Sequence, residues 1–282
     1  MISFTDNELL NLLKDDLPYH DLTTSLQEKN NIKAKLDIFT REDIVVSCSE
    51  DSCQIAKLMN CEVIYYLPSK TLASKGELVL SFIGTYENIH KIWRTTQLIL
   101  EYSSKISTYT ANMKRNIDEV NPNCQLLTTR KTYPFAKKIC IKSILNGGAN
   151  VHRLNLSETI LFFPNHRIVY KDNFEFYNEI KNFKIKMPEK KIVIESSSFE
   201  DSKNLLKFGV DVLQLDKMNI EDIKKVVELR DQSYKDVRVI CSGGININNA
   251  KEYACLGIDA IVTSAMYSCG MADFGSKISI CE

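Results

Sequence analysis

Polar side chains follow directly after short apolar runs in the second half of the chain. Such runs are typical of buried parallel strands, and α/β barrels carry their catalytic groups at the carboxyl ends of these strands. At these positions the sequence places Arg130-Lys131, Asn165-His166, Glu195, Asp216 and Ser242-Gly243-Gly244. We therefore expect the groups to meet at one barrel mouth.

Two of these groups, Glu195 and Asp216, are carboxylates 21 residues apart, which is about one β-α repeat. We expect them to end neighbouring strands. Two acids there can hold ribose hydroxyls or Mg²⁺, a cation that takes one or two protein carboxylates and completes its shell with phosphate oxygens and water. The alternative is structural, with both acids paired to barrel lysines such as Lys217.

A basic island lies between Val120 and Ser157, where the sequence has no Asp or Glu. A solvated cationic face is the alternative interpretation, but such faces usually interleave acids. These charges bracket turn signals instead, which favours an anion site. The cations of the island, with His152 beside them, are Arg130, Lys131, Lys137, Lys138, Lys142 and Arg153.

The segment Ser242-Gly243-Gly244 is a candidate phosphate cradle, because a glycine turn after a buried strand leaves backbone N–H groups bare. A tight turn without a ligand would look the same.

Together, two anion subsites and a cation subsite suit a doubly anionic substrate and a phosphorylated cosubstrate. A reaction of phosphoribosyl diphosphate (PRPP) would use all three subsites. Its transition state is oxocarbenium-like, so it needs cations on the leaving group and negative charge near the ribose.

Composition supports an ordinary globular protein of 282 residues, with 44% hydrophobic and 26% charged residues and 36 Lys+Arg against 36 Asp+Glu. This balance disfavours disorder and bulk nucleic-acid affinity. The acidic N-terminus and the absence of a long apolar run predict a cytoplasmic protein without a membrane segment. The nine cysteines form no CxxC pair, so neither a disulfide framework nor a zinc site is indicated.

Periodicity predicts a small α+β region followed by βα units. Thr5 and Glu8 form a capping-box pattern before a short helix. A helix from Asn88 turns Arg94 away from its apolar face. Beyond about residue 108, strand candidates alternate with helical stretches, which indicates a parallel sheet or barrel. The strand candidates are residues 125–128, 159–163, 191–194, 212–215, 237–241 and 260–262.

The motifs are similar as an ensemble to those of the quinolinate phosphoribosyltransferases, also called nicotinate-nucleotide pyrophosphorylases (carboxylating). The likeness covers nearly the whole chain. Several further details resemble the ModD branch, which is associated with molybdenum transport: Leu-Pro-Tyr-x-Asp-Leu-Thr-Thr from residue 17, Gln-Leu-Asp-Lys at 214–217 and Val-Thr-Ser-Ala at 262–265. The motifs shared with the family are Thr-Arg-Lys-Thr-Tyr-Pro at 129–134, Gly-Gly at 147–148, His-Arg-Leu at 152–154, Asn-His at 165–166, Glu195, Asp216 and Ser-Gly-Gly-Ile at 242–245.

The resemblance implies a small N-terminal α/β sandwich domain (residues 1–107), an open α/β barrel (108–270) and a C-terminal tail returning to the first domain (271–282). It also implies a homodimer, or a higher oligomer, in which the partner subunit completes the active site through Arg94. In that family pattern Arg130, His152 and Arg153 match the groups around the substrate carboxylates, and Lys131 matches the phosphate-side lysine. Glu195 and Asp216 match the acids near Mg²⁺ and ribose, with Ser242 to Gly244 near the 5′-phosphate.

Two departures from the family pattern bear on the substrate. Phe163 stands where the family has an active-site lysine, so a cation is lost where substrate anions would gather. Ser264 and Ser268 stand where a phosphate-loop glycine and a histidine are expected; Ser264 is still a candidate phosphate-binding residue.

Three hypotheses follow from these patterns. The first is transfer of phosphoribosyl from PRPP to quinolinate or a related pyridine carboxylate, with release of diphosphate. With quinolinate, CO₂ is also lost and nicotinate mononucleotide forms. The second is a phosphoribosyltransferase with another heterocyclic acceptor linked to molybdenum metabolism. The third is a non-catalytic protein that binds a nucleotide or oxyanion.

Overall fold

The computed structural model describes residues 2–27, 29 and 31–281, which form two compact units. The first unit contains the described residues within 1–111, 132–148 and 266–282, and the second contains 112–131 and 149–265. Met1 and Glu282, the outer limits of the predicted domains, lie outside the described residues. The long helix α4 (Tyr86–Asp118) has residues in both units, so a boundary after residue 107 stays a prediction.

The first unit is built on an antiparallel sheet whose strands lie in the order β13 (Phe274–Ile280), β1 (Lys33–Thr40), β5 (Leu78–Thr85) and β3 (Glu62–Tyr66). Its central strand β1 alternates strictly, with Ala34, Leu36 and Ile38 fully buried, because successive side chains of a strand point to opposite faces. Strand β13 pairs with β1 from Phe274 opposite Thr40 to Ile280 opposite Ala34. The other strands of this unit are β2 (Ile44–Val45) and β4 (Leu72–Ala73).

Helices complete the first unit. The predicted capping box is present: the Glu8 N–H donates to Thr5 Oγ1 at 3.3 Å, and the Thr5 N–H donates to Glu8 Oε2 at 2.8 Å. The helix that it opens ends at Asp16, before Pro18. Besides part of α4, the helices of this unit are α1 (Asp6–Asp16), α2 (Leu22–Gln27), α3 (Ser49–Leu58) and α5 (Lys137–Asn146).

A buried ion pair joins α3 to α5 within the first unit: Lys142 Nζ lies 2.5 Å from Asp51 Oδ2, and both side chains are about nine-tenths buried. We expect Asp51→Ala to lower the free energy of unfolding by about 3–5 kcal/mol, since it leaves the Lys142 charge buried without a partner. Urea denaturation measures this loss. Asp15→Ala removes an exposed acid of α1 and should change the value by less than about 0.5 kcal/mol. Equal effects of the two variants would refute this account of the pair.

The second unit is a sheet of parallel strands, in the order β7 (Asn150–Val151), β6 (Gln125–Thr128), β12 (Ala260–Thr263), β11 (Arg238–Ser242), β10 (Val212–Asp216), β9 (Ile192–Ser196) and β8 (Ile160–Phe162). Its central strands are rich in Val, Ile and Leu because helices cover parallel sheets; Ile194, Leu213 and Val239, for example, are fully buried. Each of the six predicted strands is present, with ends within two residues of the prediction.

Helices connect these strands, which gives the βα repeat expected of the region. They are α6 (Pro164–Arg167), α7 (Asn173–Lys186), α8 (Phe199–Lys207), α9 (Ile220–Ser233) and α10 (Ala250–Ala254), with a 3₁₀ helix at Ala265–Ser268. The predicted fold class, a small α/β sandwich unit plus an open α/β barrel, is confirmed. Within the described residues, no helix is both long and apolar enough to cross a membrane.

Candidate active site

One cavity of about 420 Å³ lies in the second unit, among the carboxyl ends of its parallel strands. Of the residues predicted to form the site, Arg94, Asn165 and His166 do not line it. Arg94 is exposed on α4, where its guanidinium carbon lies 5.7 Å from the centre of the Trp93 ring. The predicted residues that line the cavity are Arg130, Lys131, His152, Arg153, Glu195, Asp216, Ser242, Gly243, Gly244 and Ser264.

Backbone hydrogen bonds fix the segments that carry the cations. The Thr129 N–H donates to the Thr263 carbonyl oxygen at 3.0 Å, and the Lys131 N–H donates to Thr129 Oγ1 at 3.1 Å. The His152 N–H donates to the Thr128 carbonyl oxygen at 3.1 Å. The two backbone bonds extend the sheet beyond its last paired residues, and the bond to the Thr129 side chain fixes the turn that follows. Together they hold Arg130, Lys131 and His152 at one edge.

Arg153 is the buried cation of this edge, with 7% of its surface exposed. Its Nε–H donates to the Asn155 carbonyl oxygen at 3.0 Å. Burial, and then the charge of Arg130, lower the pKa of Arg153. Burial and the Arg153 charge also lower the pKa of His152, which favours a neutral imidazole at neutral pH. Clustered cations of this kind create a strong field for an anionic ligand.

The two carboxylates lie on adjacent strands, as their spacing predicts. Gln214 on β10 pairs with Glu195 on β9, and its Nε2–H donates to Glu195 Oε2 at 2.9 Å. The Ser242 Oγ–H donates to Asp216 Oδ1 at 2.8 Å. Burial, and then the charge of Asp216, raise the pKa of Glu195, although Gln214, Arg167 and Lys131 act in the opposite direction. The two acids therefore repel each other at the cavity.

This donor set fits Mg²⁺. Hard carboxylate oxygens from one or two residues are what the ion takes from proteins when substrate phosphates supply the rest of its shell. A divalent cation would also relieve the repulsion that raises the pKa of Glu195. Among the described residues no three His, Cys, Asp or Glu side chains form a metal cluster, so any ion here would rely on Glu195, Asp216 and ligand oxygens.

The Ser242–Gly244 turn presents its backbone to the cavity. Gly243 has φ +88°, and a Cβ there would overlap Lys217 Cγ and lie 2.8 Å from Asp216 Oδ1. Only glycine therefore fits. At Gly244, φ is +76° and no atom beyond its chain neighbours lies within 4 Å of a Cβ position. The second glycine thus leaves open space beside its backbone, as a phosphate cradle requires.

Several cavity residues lie outside the set predicted from the sequence. Gln214 is buried and contacts Glu195. The sequence feature that could have identified it is a polar residue inside an apolar strand. Lys217 also lines the cavity, but the structure gives it no ion pair with Glu195 or Asp216. The structure therefore does not contain the pairing with Lys217 that the structural alternative expects. The other lining residues are Thr129, Leu161, Val262 and Thr263.

Phe163 forms part of the apolar wall of the cavity, while Asn165 and His166 do not line it. The Phe163 ring stacks on the His166 ring with centroids 5.6 Å apart. The Phe163 N–H donates to His166 Nδ1 at 2.9 Å. Asn165-His166 thus lies outside the predicted mouth, where α6 turns the chain away. Ser268, on the 3₁₀ helix, does not line the cavity either.

The parallel sheet, with a cavity lined by cations at the carboxyl ends of its strands, defines the second unit as an open α/β barrel. The chain belongs to the quinolinate phosphoribosyltransferase family: the family's C-terminal domain model matches residues 106–276 and its N-terminal domain model matches residues 21–104. The resemblance found in the sequence is thereby confirmed.

Proteins similar in sequence to this chain are named either as ModD or as nicotinate-nucleotide pyrophosphorylase. "Putative pyrophosphorylase ModD" of Pasteurella multocida (strain Pm70) is 32% identical over 95% of this chain and 95% of its own length. "Probable nicotinate-nucleotide pyrophosphorylase [carboxylating]" of Methanothermobacter thermautotrophicus is 28% identical over 89% of this chain and 90% of its own length.

Solved structures share the fold. NadC from Streptococcus pyogenes has a TM-score of 0.88 and 22% identity, with both chains covered completely. Nicotinate-nucleotide pyrophosphorylase from Ehrlichia chaffeensis has a TM-score of 0.89 and 23% identity, covering 99% of this chain and 100% of its own. At such identities the likeness concerns the fold alone.

Proposed function

We propose that the protein transfers the phosphoribosyl group of PRPP to the ring nitrogen of quinolinate or a related heterocyclic acid. The observation that carries this proposal is that clustered cations, two adjacent carboxylates and an open glycine turn line the same cavity. Membership of the phosphoribosyltransferase family supports it.

In the proposed reaction, the ring nitrogen forms a bond to ribose C1 while the bond from C1 to the diphosphate oxygen breaks. Arg130, His152 and Arg153 would bind the acceptor's acid groups, and Lys131 would bind the diphosphate side. The Ser242–Gly244 turn, with Ser264, would bind the 5′-phosphate. Glu195 and Asp216 would stabilise positive charge on the ribose. They would also hold Mg²⁺, which neutralises charge on the leaving diphosphate when it is bound.

We further propose a homodimer in which Arg94 of each subunit reaches the partner's cavity. The exposure of Arg94 and its absence from the cavity of its own chain support this assignment.

The proposed transfer needs no protein nucleophile. Orientation of the two substrates and electrostatic stabilisation would supply the catalysis.

The experiment that tests the proposal follows products by mass spectrometry. Purified protein is incubated with PRPP, Mg²⁺ and quinolinate, and then with a panel of other pyridine and heterocyclic acids. Nicotinate mononucleotide with release of CO₂ would establish quinolinate as the acceptor. A different nucleotide product would establish another acceptor. PRPP binding without any nucleotide product would support the non-catalytic alternative and contradict the proposal.

Phe163 favours the second candidate function, a transferase with an acceptor other than quinolinate. Its ring lines the cavity, so that wall offers no charge to a second carboxylate. We expect Phe163→Lys to raise kcat/KM for quinolinate at least about 10-fold relative to nicotinate, its monocarboxylate analogue, because the ammonium can pair with the additional anion.

The control for this prediction is Phe174→Lys, which adds the same charge at a side chain 64% exposed on α7, outside the cavity. It should leave the quinolinate-to-nicotinate ratio unchanged. Initial rates with each acceptor at saturating PRPP measure the ratio. A ratio unmoved by Phe163→Lys would mean that residue 163 does not select the acceptor.

A further inference from the structure

Lys217 is a cavity cation to which the proposed function gives no role. It follows strand β10 directly and lines the cavity next to Asp216. Among the residues that the structure describes, its ammonium makes neither a hydrogen bond nor an ion pair. The nearby carboxylates have other partners, since Glu195 accepts from Gln214 and Asp216 accepts from Ser242. The charge of Lys217 therefore remains available to a ligand.

The backbone of Lys217 adopts a conformation that a lysine rarely takes, with φ +53°. This left-handed region is unfavourable for residues with a Cβ. The Lys217 N–H donates to the Ser242 carbonyl oxygen at 2.9 Å, which ties the residue to the neighbouring strand end. Of the described non-glycine residues with positive φ, Lys217 alone lines this cavity. Such conformations persist where the surroundings hold them, and they cluster at functional sites.

Gly243 is the neighbour that makes room for this conformation. A Cβ on Gly243 would overlap Lys217 Cγ and lie 2.8 Å from Lys217 N. The stem of the lysine therefore lies against the bare backbone of Gly243. At the next residue, Gly244, no atom beyond its chain neighbours lies within 4 Å of a Cβ position. The lysine stem and the open turn thus adjoin the same part of the cavity.

The charges of the cavity indicate what binds there. Arg130, Lys131, Arg153 and Lys217 face two carboxylates, Glu195 and Asp216, so an anion with more than one negative charge is favoured. Lysine binds phosphate as a point charge beside backbone N–H groups. We propose that Lys217 binds the phosphate monoester seated at the Ser242–Gly244 turn. The assignment rests on the proposed function in that this ester is the 5′-phosphate of PRPP.

Titration calorimetry with ribose 5-phosphate tests the assignment without requiring any reaction. The variant is Lys217→Asn, because asparagine tolerates the left-handed backbone and removes the charge. Its Kd should rise about 10- to 100-fold, the loss expected for one charge-assisted hydrogen bond. Lys217→Arg should retain most of the affinity, and Lys217→Gln provides a second variant that removes the charge.

Lys224→Asn is the matched control, because Lys224 is exposed on α9 and does not line the cavity; its Kd should equal that of the wild type. An unchanged Kd for Lys217→Asn would overturn the assignment. A loss confined to inorganic diphosphate would overturn it as well, since it would place the ammonium on the leaving group. Failure of the wild type to bind ribose 5-phosphate would contradict it outright.

These outcomes are separable from those of the proposed function. Wild-type protein that binds ribose 5-phosphate through Lys217 but forms no nucleotide would refute the transferase proposal and leave the phosphate site intact. If the wild type forms a nucleotide while Lys217→Asn binds ribose 5-phosphate normally, the role of Lys217 is refuted and the transferase proposal stands.

Discussion

Glu195→Gln is expected to lower kcat about 100- to 1,000-fold with little change in the thermal midpoint. The substitution keeps the shape of the side chain but removes the negative charge that we propose to lie near the ribose of PRPP, where positive charge would develop in the transition state. Losing one preorganised electrostatic group of this kind has effects of that size. The rate of diphosphate release at saturating PRPP and acceptor measures the change.

The control for this variant is Glu200→Gln, the same substitution five residues further on. Glu200 is exposed on α8, and its nearest cation, Lys203, lies 3.7 Å away. Its rate should match that of the wild type. Full activity of Glu195→Gln would show that the carboxylate pair is structural.

Gly243→Ala is expected to lower kcat/KM for PRPP about 100-fold or more. An alanine at φ +88° is strained, and its methyl group would displace Lys217 and Asp216. Both residues line the cavity, so the change removes two proposed PRPP contacts together. Steady-state kinetics with varied PRPP measures the loss, and circular dichroism reports whether the fold is kept.

Gly209→Ala separates backbone strain from this displacement. Gly209 has a similar φ of +84° but open space around its Cβ position, and it lies outside the cavity. That variant should lose roughly 1 kcal/mol of stability and keep its kcat/KM. Equal losses of activity in the two variants would show that strain alone, rather than the displaced side chains, explains Gly243→Ala.

Much of the second unit could be predicted from the sequence because its strands are short apolar runs bounded by turns. The predicted bounds of strand β6 agree with the structure to the residue, and those of the strand carrying Asp216 differ by one residue at its end. Since parallel strand ends meet at one edge, ten of the predicted site residues line one cavity, whereas Asn165 and His166, also expected there, do not. Their roles remain predictions, as does the role of Arg94.

The features missed by sequence reasoning arise from tertiary contacts. The resemblance predicts that residues 271–282 return to the first domain, but it does not predict a strand there. Strand β13 includes Gly275, Ser276 and Lys277, a weak strand pattern that forms a strand by pairing with β1. The left-handed backbone of Lys217 cannot be read from its residue type. Its stem lies against the bare backbone of Gly243, in the turn that follows the neighbouring strand.

Phosphoribosyl transfer at this cavity is tested by measuring acceptor-dependent release of diphosphate from PRPP in the presence of Mg²⁺, with wild type compared with Glu195→Gln. We expect release that requires a heterocyclic acid and falls at least about 100-fold in the variant. Failure of every tested acid to stimulate release, or equal rates in the two proteins, would contradict phosphoribosyl transfer at this cavity.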